Sequence, residues 1–546
     1  MFAVGNVGRG QHKESLVSTI YVSLANGQDS NSCGGKSNPC KTLHLALNTS
    51  SRDVHVYMDG HGTRKQPYQC QGFPRDRPAE LLFRSIALES INEEAFISCL
   101  SGVHFKSPGL PSRLLLTNLT FSNTALEMDN FLFISVVNCK FLNNTKNPAA
   151  IQVHLSKENQ NSSISIKETF FRHIKQSCIR IHKRMHASFN MTFPQLKILV
   201  SNTQFDANGN GDGLIGKRAA FYVTFNGHTH IHCEGIKFVK NHIPFLSFQQ
   251  NTSRKNYRKE DSISVFIRNS IFDQNHSLNP NFKMFVIVIN TKKQRVHLSI
   301  RNTILTTNEN GIKLTDFERL SFNNVTFHLT NGYSIELQHD KQQPTLRKRV
   351  ISVAIKQCSF ENNFESFSLK MRYSGQVSNW MLNVLIQKTN FYGSYPNKNF
   401  AAAIRIILLQ NKEKALSQSL LHKPKISVII KEVKIREILG TALSLHFKSL
   451  SKYDVQVKRC LFSHSNNAEN KHRESGPTVL LNFVADSSTL LKKTNKKRAQ
   501  SHNINSTKNS RVVFSNTKLE NNTGLGSVVL INNTDVTFVN SRFYEN

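Results

Sequence analysis

The chain has 546 residues and a formal net charge of +34, from 70 Lys and Arg against 36 Asp and Glu. Apolar residues make up 38% of it, which is enough for a core and excludes a wholly disordered chain. No apolar run approaches the roughly 20 residues that a membrane-spanning helix needs, so we predict no membrane span.

Residues 1–20 are predicted to be an unstructured leader or the start of a fragment. They lack the uninterrupted apolar segment of about 7–15 residues that a signal peptide requires. We therefore expect either an unusual export route or an incomplete N-terminus.

Residues 21–110 precede the clear internal repeat and are predicted to form an N-terminal cap and the first coils of a solenoid. A solenoid must cover its exposed first coil, and a disulfide-braced cap would do so. Four cysteines allow three pairings, of which we favour Cys33–Cys40 with Cys70–Cys99. The four candidates for disulfide bonds are Cys33, Cys40, Cys70 and Cys99.

Residues 111–546 repeat the motif Asn-x-x-Phe-x-x-Asn, with clear copies centred on Phe141, Phe205 and Phe272. From Phe171 to Leu305 the copies are 33 or 34 residues apart. Each copy ends an alternating run such as SISVFIRNSIF, and a second alternating run follows, which indicates strand, turn, strand and loop. Strands that repeat at this spacing without helices predict an all-β fold. We expect a parallel β-helix solenoid of about 14 or more coils.

The motif also predicts which side chains face the core. The position two residues before Phe shares the face of Phe, and none of its occupants is charged, so we expect a second inward column there. The Asn residues suit bends and could form amide ladders. Cys139, Cys358 and Cys460 lie in the inward column and are predicted to stay free thiols. The Phe column predicted to be buried and stacked comprises Phe121, Phe141, Phe205, Phe238, Phe272, Phe327, Phe360 and Phe462.

The stretch YVSLANGQDSNSCGGKSNPCKTLHLAL resembles the opening of right-handed parallel β-helix proteins of the pectin-lyase-like superfamily. It is most similar to the polymorphic-outer-membrane-protein-like β-helix proteins of invertebrate animals. The resemblance implies an extracellular, non-catalytic surface protein, usually with further Cys-rich and sometimes membrane-spanning segments. Because the chain stops inside a repeat copy, we expect a truncated product. The matching residues are Asn26-Gly27-x-Asp29, Cys33-Gly34, Pro39-Cys40-x-Thr42-Leu43 and Ala46-Leu47.

The alternative function is a carbohydrate-active enzyme, a polysaccharide lyase or glycoside hydrolase, on the same fold. Such enzymes need carboxylates clustered on one strand face. The chain has no Asp-x-Asp on a predicted strand, and Glu93-Glu94 and Glu260-Asp261 fall in apparent loops. We therefore predict a non-catalytic structural, adhesive or recognition protein without a cofactor. Three or more acidic side chains in one groove would favour the enzyme.

Two stretches contain potential metal ligands. One is similar to the first half of a calcium loop, although Lys217 occupies the place of its final Glu, and a simple polar turn is the alternative. Its candidate ligands are Asp206, Asn208, Asn210 and Asp212. The other consists of His228, His230 and His232, which alternate on a strand and could suit zinc, whereas Cys233 points to the opposite face.

The N-x-S/T sequons permit, without demonstrating, a glycoprotein at the cell surface. The candidate glycosylation sites are Asn118, Asn143, Asn190, Asn275, Asn324 and Asn521.

Basic clusters concentrate between strands, above all in a long insertion near 485–510. Loops on one edge of a solenoid line up, so these clusters could form a positive stripe for acidic glycans or cell-surface proteins. Solvated loops are the alternative. No nucleic-acid partner is expected, because the Phe residues are in the core and cannot stack on bases. The candidate polyanion-binding residues are Lys492, Lys493, Lys496, Lys497 and Arg498.

Overall fold

Each turn of the chain contributes one strand to each of three parallel ladders, so the computed structural model is a parallel β-helix. This confirms the predicted fold class. The structure describes residues 17–48, 53–60, 62–69, 79–108, 112–145, 147–155, 161–183, 195–209, 218–224, 227–249, 262–279, 283–291, 295–341, 349–374, 380–394, 402–411, 425–438, 440–448, 452–463, 477–484, 510–522, 529–532 and 534–544.

The first face is a parallel ladder in which each strand between the two terminal ones pairs with the strand one coil earlier and with the strand one coil later. Its strands are Ser18–Val22, Asp53–Met58, Ser85–Ser90, Arg113–Thr117, Phe133–Val137, Ser162–Lys167, Gln195–Ser201, His228–Glu234, Ser262–Arg268, Arg295–Thr306, Phe317–His328, Arg349–Lys356, Trp380–Gln387, Lys425–Lys431, Lys452–Lys458, Arg511–Ser515 and Val536–Val539.

The second face follows after a sharp corner of two residues and carries the Phe column. Arg295–Thr306 and Phe317–His328 run through this corner and belong to both faces, which joins the two ladders into one 31-stranded sheet. The remaining strands are Tyr68–Gln69, Ala95–Ser98, Leu119–Ser122, Lys140–Leu142, Phe170–Arg172, Gln204–Asp206, Lys237–Val239, Ile271–Asp273, Ser359–Glu361, Asn390–Ser394, Lys434–Ile438, Leu461–Ser463, Lys518–Glu520 and Arg542–Tyr544.

The third face is a separate parallel sheet with 15 strands among the described residues, so fifteen of the coils described have all three strands. Its strands are Ala79–Leu82, Val103–Lys106, Leu126–Asp129, Ala149–Leu155, Ser177–Lys183, Phe221–Thr224, Leu246–Gln249, Phe285–Asn290, Asn310–Thr315, Tyr333–Lys341, Glu365–Ser374, Ala402–Asn411, Thr441–Lys448, Val479–Val484 and Val529–Asn532.

The Phe positions of the motif form one column in the core, as predicted. Cα pairing places Phe121, Phe141 and Phe171 directly above one another, and their ring centroids are 5.0 Å apart and nearly parallel. Further along, Phe205 and Phe238 tilt to 55° because Phe245 enters from the third face and meets both rings edge-on. Over much of the solenoid, a ring at this position is therefore buried against the ring of the neighbouring coil. The predicted residues Phe121, Phe141, Phe205, Phe238, Phe272, Phe327, Phe360 and Phe462 are all buried.

The first Asn of the motif makes the corner between the first and second faces. Asn138, Asn202 and Asn302 have φ near 50°, the left-handed region that Asn tolerates better than most residues. Some coils place another residue there, such as Lys388 with φ 50° or Arg459 with φ 53°. The left-handed backbone conformation is therefore kept at this corner even where the residue is not Asn.

The inward side chains two residues before Phe form hydrogen bonds with the backbone of this corner. The hydroxyl groups of Thr203, Thr303 and Thr389 each donate to the carbonyl oxygen two residues earlier, at 2.9–3.0 Å. The thiols of Cys139 and Cys358 face the same carbonyl at 3.3 and 3.2 Å. These carbonyls also accept a backbone amide from the corner of the preceding coil, as Ser201 O does from Glu168 N at 3.0 Å, so the small donor side chain adds a second hydrogen bond at the corner.

The last Asn of the motif forms a buried amide ladder at the next corner. The Nδ2 groups of Asn208 and Asn275 donate to the Oδ1 atoms of Asn241 and Asn308 one coil later, at 2.9 and 2.8 Å. Each Nδ2 also donates to a Phe carbonyl, as Asn241 does to Phe205 at 3.1 Å. The two Asn positions of the motif therefore have different roles, an exposed corner and a buried ladder.

The N-terminal end of the core is covered by a short helix, Leu43–Asn48, which buries Leu43, Ala46 and Leu47. The Cys33–Cys40 disulfide holds the preceding loop, with 4.9 Å between the Cα atoms. Asp29 Oδ1 accepts hydrogen bonds from the amides of Lys41 and Thr42, both at 2.9 Å, which fixes the loop to the start of the helix. Cys99 is also disulfide-bonded, and Cys70 lies outside the described residues.

Truncation of one ring should destabilise the coils around it. Phe272→Ala removes a fully buried ring that lies 5.1 Å from Phe245 and 6.0 Å from Phe238, so we expect a loss of about 3–5 kcal/mol. Because each coil contacts only its neighbours, the loss should appear as faster amide hydrogen exchange in Lys237–Val239 and Arg295–Thr306. The control is Phe266→Ala, whose ring is on the same coil but 45% exposed. Equal effects of both substitutions would contradict the core assignment.

Candidate functional site

In the calcium-like stretch, the two described candidate ligands, Asp206 and Asn208, contact other protein groups. The Asp206 carboxylate pairs with Arg172 Nε at 3.3 Å. Asn208 belongs to the buried ladder, where its Oδ1 accepts from the amide of Ile174 at 2.9 Å. Asn210 and Asp212 lie outside the described residues. The two described ligands are thus committed to other partners.

The three histidines of strand His228–Glu234 occupy alternate outward positions, and Cys233 is buried on the other side. His228 Nδ1 lies 2.9 Å from Ser262 Oγ on the next coil. Burial, together with the charges of His228 and Lys197, lowers the pKa of His230. Within the described part of the chain, a different set of residues forms the one cluster with metal-ligand spacing.

The sequons differ in accessibility. Asn324 is exposed, and Asn118, Asn143 and Asn521 are half-buried at corners. Asn275 is buried in the amide ladder, where its Nδ2 donates to the carbonyl of Phe238 and to Asn308. A glycan at Asn275 would break that ladder, so this position does not suit modification of the folded chain. Asn190 lies outside the described residues.

Cys139, Cys358 and Cys460 are free and buried, as are Cys178 and Cys233. Burial raises the pKa of Cys139 and Cys233 to about 12, and that of Cys358 and Cys460 to about 11. These thiols are therefore protonated at neutral pH and unreactive.

The basic insertion, with Lys492, Lys493, Lys496, Lys497 and Arg498, lies outside the described residues. A second concentration of positive charge runs along the described corner between the first and second faces. Its residues come from three adjacent outward columns: the last position of the first face, the corner itself and the first position of the second face. We call this set the corner stripe: Arg301, Lys356, Lys388, Lys431, Lys434, Lys458, Arg459 and Lys518.

The corner stripe is strongly unbalanced in charge. From the coil of Arg301 to that of Lys518, Glu432 is the one acidic residue in its three columns, all of which are described. Glu432 Oε1 lies 3.5 Å from Lys431 Nζ and 3.3 Å from Arg459 Nη2, so it offsets part of their charge. Six coil steps at about 4.8 Å make the stripe about 29 Å long. Cations on adjacent coils are about 4.8 Å apart along the axis, within a Debye length of about 8 Å, and reinforce one potential.

A polar cluster lies on the outward side of the third face near the N-terminal end. His104 and Glu127 are directly paired on adjacent coils, as are Asp129 and His154 on the next pair. His104 Nε2 is 3.1 Å from Asp129 Oδ2, and His154 Nε2 is 3.0 Å from Glu127 Oε1. Gln152 Nε2 adds a hydrogen bond to Glu127 Oε1 at 3.2 Å. Three coils thus contribute to one network.

The histidines keep both carboxylates ionised. The hydrogen bond from His154 lowers the pKa of Glu127 and outweighs burial. Burial raises the pKa of Asp129, but the hydrogen bond and charge of His104, with the charges of His154 and Lys106, outweigh it, so the pKa is lowered overall. Beside the network is a cleft of about 220 Å³, lined by Gly102, Pro148 and their neighbours and by Glu127 and Gln152 themselves.

Glu365 is a buried carboxyl further along the third face. Its side chain is 4% exposed, and Arg405 Nη1 lies 3.2 Å from its Oε1. Burial raises the pKa of Glu365 to about 7, despite the opposing charge of Arg405. Tyr333, paired with Glu365 on the preceding coil, has its pKa raised to about 12, mainly by burial.

The raised pKa of Glu365 makes stability depend on pH. Its pKa in the fold exceeds the ordinary value of 4.5, so the fold favours the protonated form. That contribution is complete below about pH 4.5 and is lost as pH rises through 7. Glu365→Gln should therefore raise the free energy of unfolding by on the order of 1–3 kcal/mol at pH 8 and change it little at pH 4.5. Urea denaturation at both pH values measures this.

The matched control is Glu234→Gln, which removes a carboxylate 2.6 Å from Arg268 Nη2 on the first face of an earlier coil and should give no gain at pH 8. A Glu365→Gln protein that is no more stable than the original chain at pH 8 would show that Arg405 holds this carboxyl ionised.

No family model matches the chain, and no curated protein matches it either. In the described part of the chain, no helix is both long and apolar enough to cross a membrane.

Proposed function

We propose that the protein is a non-catalytic extracellular recognition rod that binds linear acidic glycans along the corner stripe. The observation that supports the proposal is the charge of the corner stripe, which has eight cationic side chains and one carboxylate along one edge of the solenoid. A linear polyanion parallel to the solenoid axis would meet about one cation per coil. Long-range attraction of this kind would also steer a charged polymer onto the edge.

Secretion is supported by two independent features. The cap contains the Cys33–Cys40 disulfide, and disulfides persist in oxidising compartments. The opening stretch resembles extracellular β-helix proteins of the pectin-lyase-like superfamily, and the parallel β-helix is the fold that the resemblance implies. Cell-surface proteins bearing acidic glycans are the expected partners.

The alternative, a carbohydrate-active enzyme on this fold, has one observation in its favour, the carboxylates of Glu127 and Asp129 beside a cleft. A general acid must hold a proton near neutral pH, which requires a raised pKa. Both carboxyls have lowered pKa values. Glu365 has the raised pKa but is buried and does not line that cleft. Recognition is therefore favoured over catalysis.

The proposal is tested by heparin affinity of matched charge variants. Lys356, Lys431, Lys434 and Lys458 are changed to Gln in one variant. At about 0.5 kcal/mol per exposed charge contact, the four together contribute about 2 kcal/mol, so the dissociation constant should rise about thirtyfold. Binding should also become less sensitive to salt, because fewer ionic contacts remain.

The control changes four exposed lysines elsewhere, Lys36, Lys41, Lys197 and Lys240, and lowers the net charge equally. Equal loss in both variants would mean that net charge alone decides binding, and the stripe would be rejected. A third variant replaces Lys492, Lys493, Lys496, Lys497 and Arg498 with Gln. If that variant alone lost affinity, the insertion rather than the corner would be the binding element.

A further inference from the structure

We propose that His104, Glu127 and Asp129 form a binding site for a divalent transition-metal ion, with zinc as the preferred class, at the edge of the third-face cleft. This site is distinct from the corner stripe. It also differs from both metal-binding stretches predicted from the sequence, since it uses none of their residues.

The geometry comes from the coil register. His104 and Glu127 occupy the same position on adjacent coils, and Asp129 lies two residues after Glu127, so all three point outward from one face. One ligand atom of each lies within 4.8 Å of one ligand atom of the other two. A cation placed among them at normal coordination distances of about 2.0–2.2 Å would need only small side-chain movements.

A second observation points to a missing cation. Asp129 Oδ1 is shielded from solvent and has no hydrogen-bond donor among the described residues. An unpaired anionic oxygen away from water is costly. A bound metal ion would satisfy it. The oxygen of Gln152, which also lines the cleft, is likewise shielded and without a donor.

The donor set selects the class of metal. One imidazole with two carboxylates suits zinc and related transition metals, whereas calcium prefers six to eight oxygen ligands. His154, opposite Asp129 on the following coil, is positioned as a further ligand or as the group that orients Glu127. Because Glu127 also borders the cleft, the ion would have a side open to a small anionic ligand.

One neighbouring positive charge, that of Lys106, should weaken the binding of a metal ion. Lys106 is paired with Asp129 on the preceding coil and places a positive charge beside that carboxylate. Lys106 therefore competes with a cation for Asp129. This gives a variant that should gain affinity, Lys106→Met, alongside the variants that should lose it.

The test is titration of the tag-free chain with zinc chloride after chelator treatment, using calorimetry and metal analysis. We expect one zinc ion per chain, at least a tenfold weaker affinity in His104→Gln and in Glu127→Gln, and a tighter affinity in Lys106→Met. The spectrum of the cobalt-substituted protein should lack a sulfur-to-metal charge-transfer band, because no cysteine belongs to the site. Circular dichroism of each variant establishes that the β-helix is intact.

The matched control is the triple variant His228→Gln, His230→Gln and His232→Gln, which removes the other histidine group and should bind zinc normally. Loss of binding in this variant, unchanged binding in His104→Gln and Glu127→Gln, or no binding at micromolar zinc would each overturn the proposal.

Discussion

Stacking of like side chains from one coil on the next is the interaction on which the whole structure depends. A strand of three residues, such as Lys140–Leu142, has too few hydrogen bonds to be stable alone. It is held because Phe141 lies between the rings of Phe121 and Phe171 and because the backbone ladder continues on both sides. The left-handed corner and the buried Asn ladder keep every coil in the same register, so the rings stay aligned. Without that register the core would not form.

The same register determines what the surface can do. Residues separated by dozens of positions in sequence become neighbours about 4.8 Å apart when they occupy the same position in successive coils. For this reason the charges of Lys431 and Lys458 add to one positive potential. For the same reason the ligand atoms of His104 and Glu127 lie close together. The repeat that builds the core therefore also aligns outward side chains in columns on the surface. The corner stripe and the polar cluster are two such columns, one positive and one rich in ligands.

Much of the fold could be predicted from the sequence, because an inward column must repeat and so leaves a visible period. The Phe column and the inward Thr and Cys positions were accessible in this way. The Cys33–Cys40 disulfide lies outside the repeat and was predicted as one of three possible pairings of the cap cysteines. The corner stripe was also visible in principle, since Lys356, Lys431 and Lys458 stand four residues before their Phe or Ile. The corner stripe was missed because only runs of consecutive basic residues were considered, whereas most residues of the stripe are far apart in sequence. His104, Glu127 and Asp129 left no signal in the sequence, because none of them belongs to the repeated motif and they come together only through the coil register. Asn275 matched a sequon, but only burial reveals that its amide is already used.

The register itself can be measured directly by distances between spin labels. Lys237, Lys434 and Lys518 occupy the same outward position of the second face, with six coil steps between the first two and eight between the first and last. Cysteine substitutions at these positions can be labelled selectively, because the free native thiols described above are buried and protonated. Double electron–electron resonance should then give about 29 Å for Lys237 with Lys434 and about 38 Å for Lys237 with Lys518, since each step adds about 4.8 Å. Distances that do not grow in this six-to-eight proportion would contradict the stacked coils.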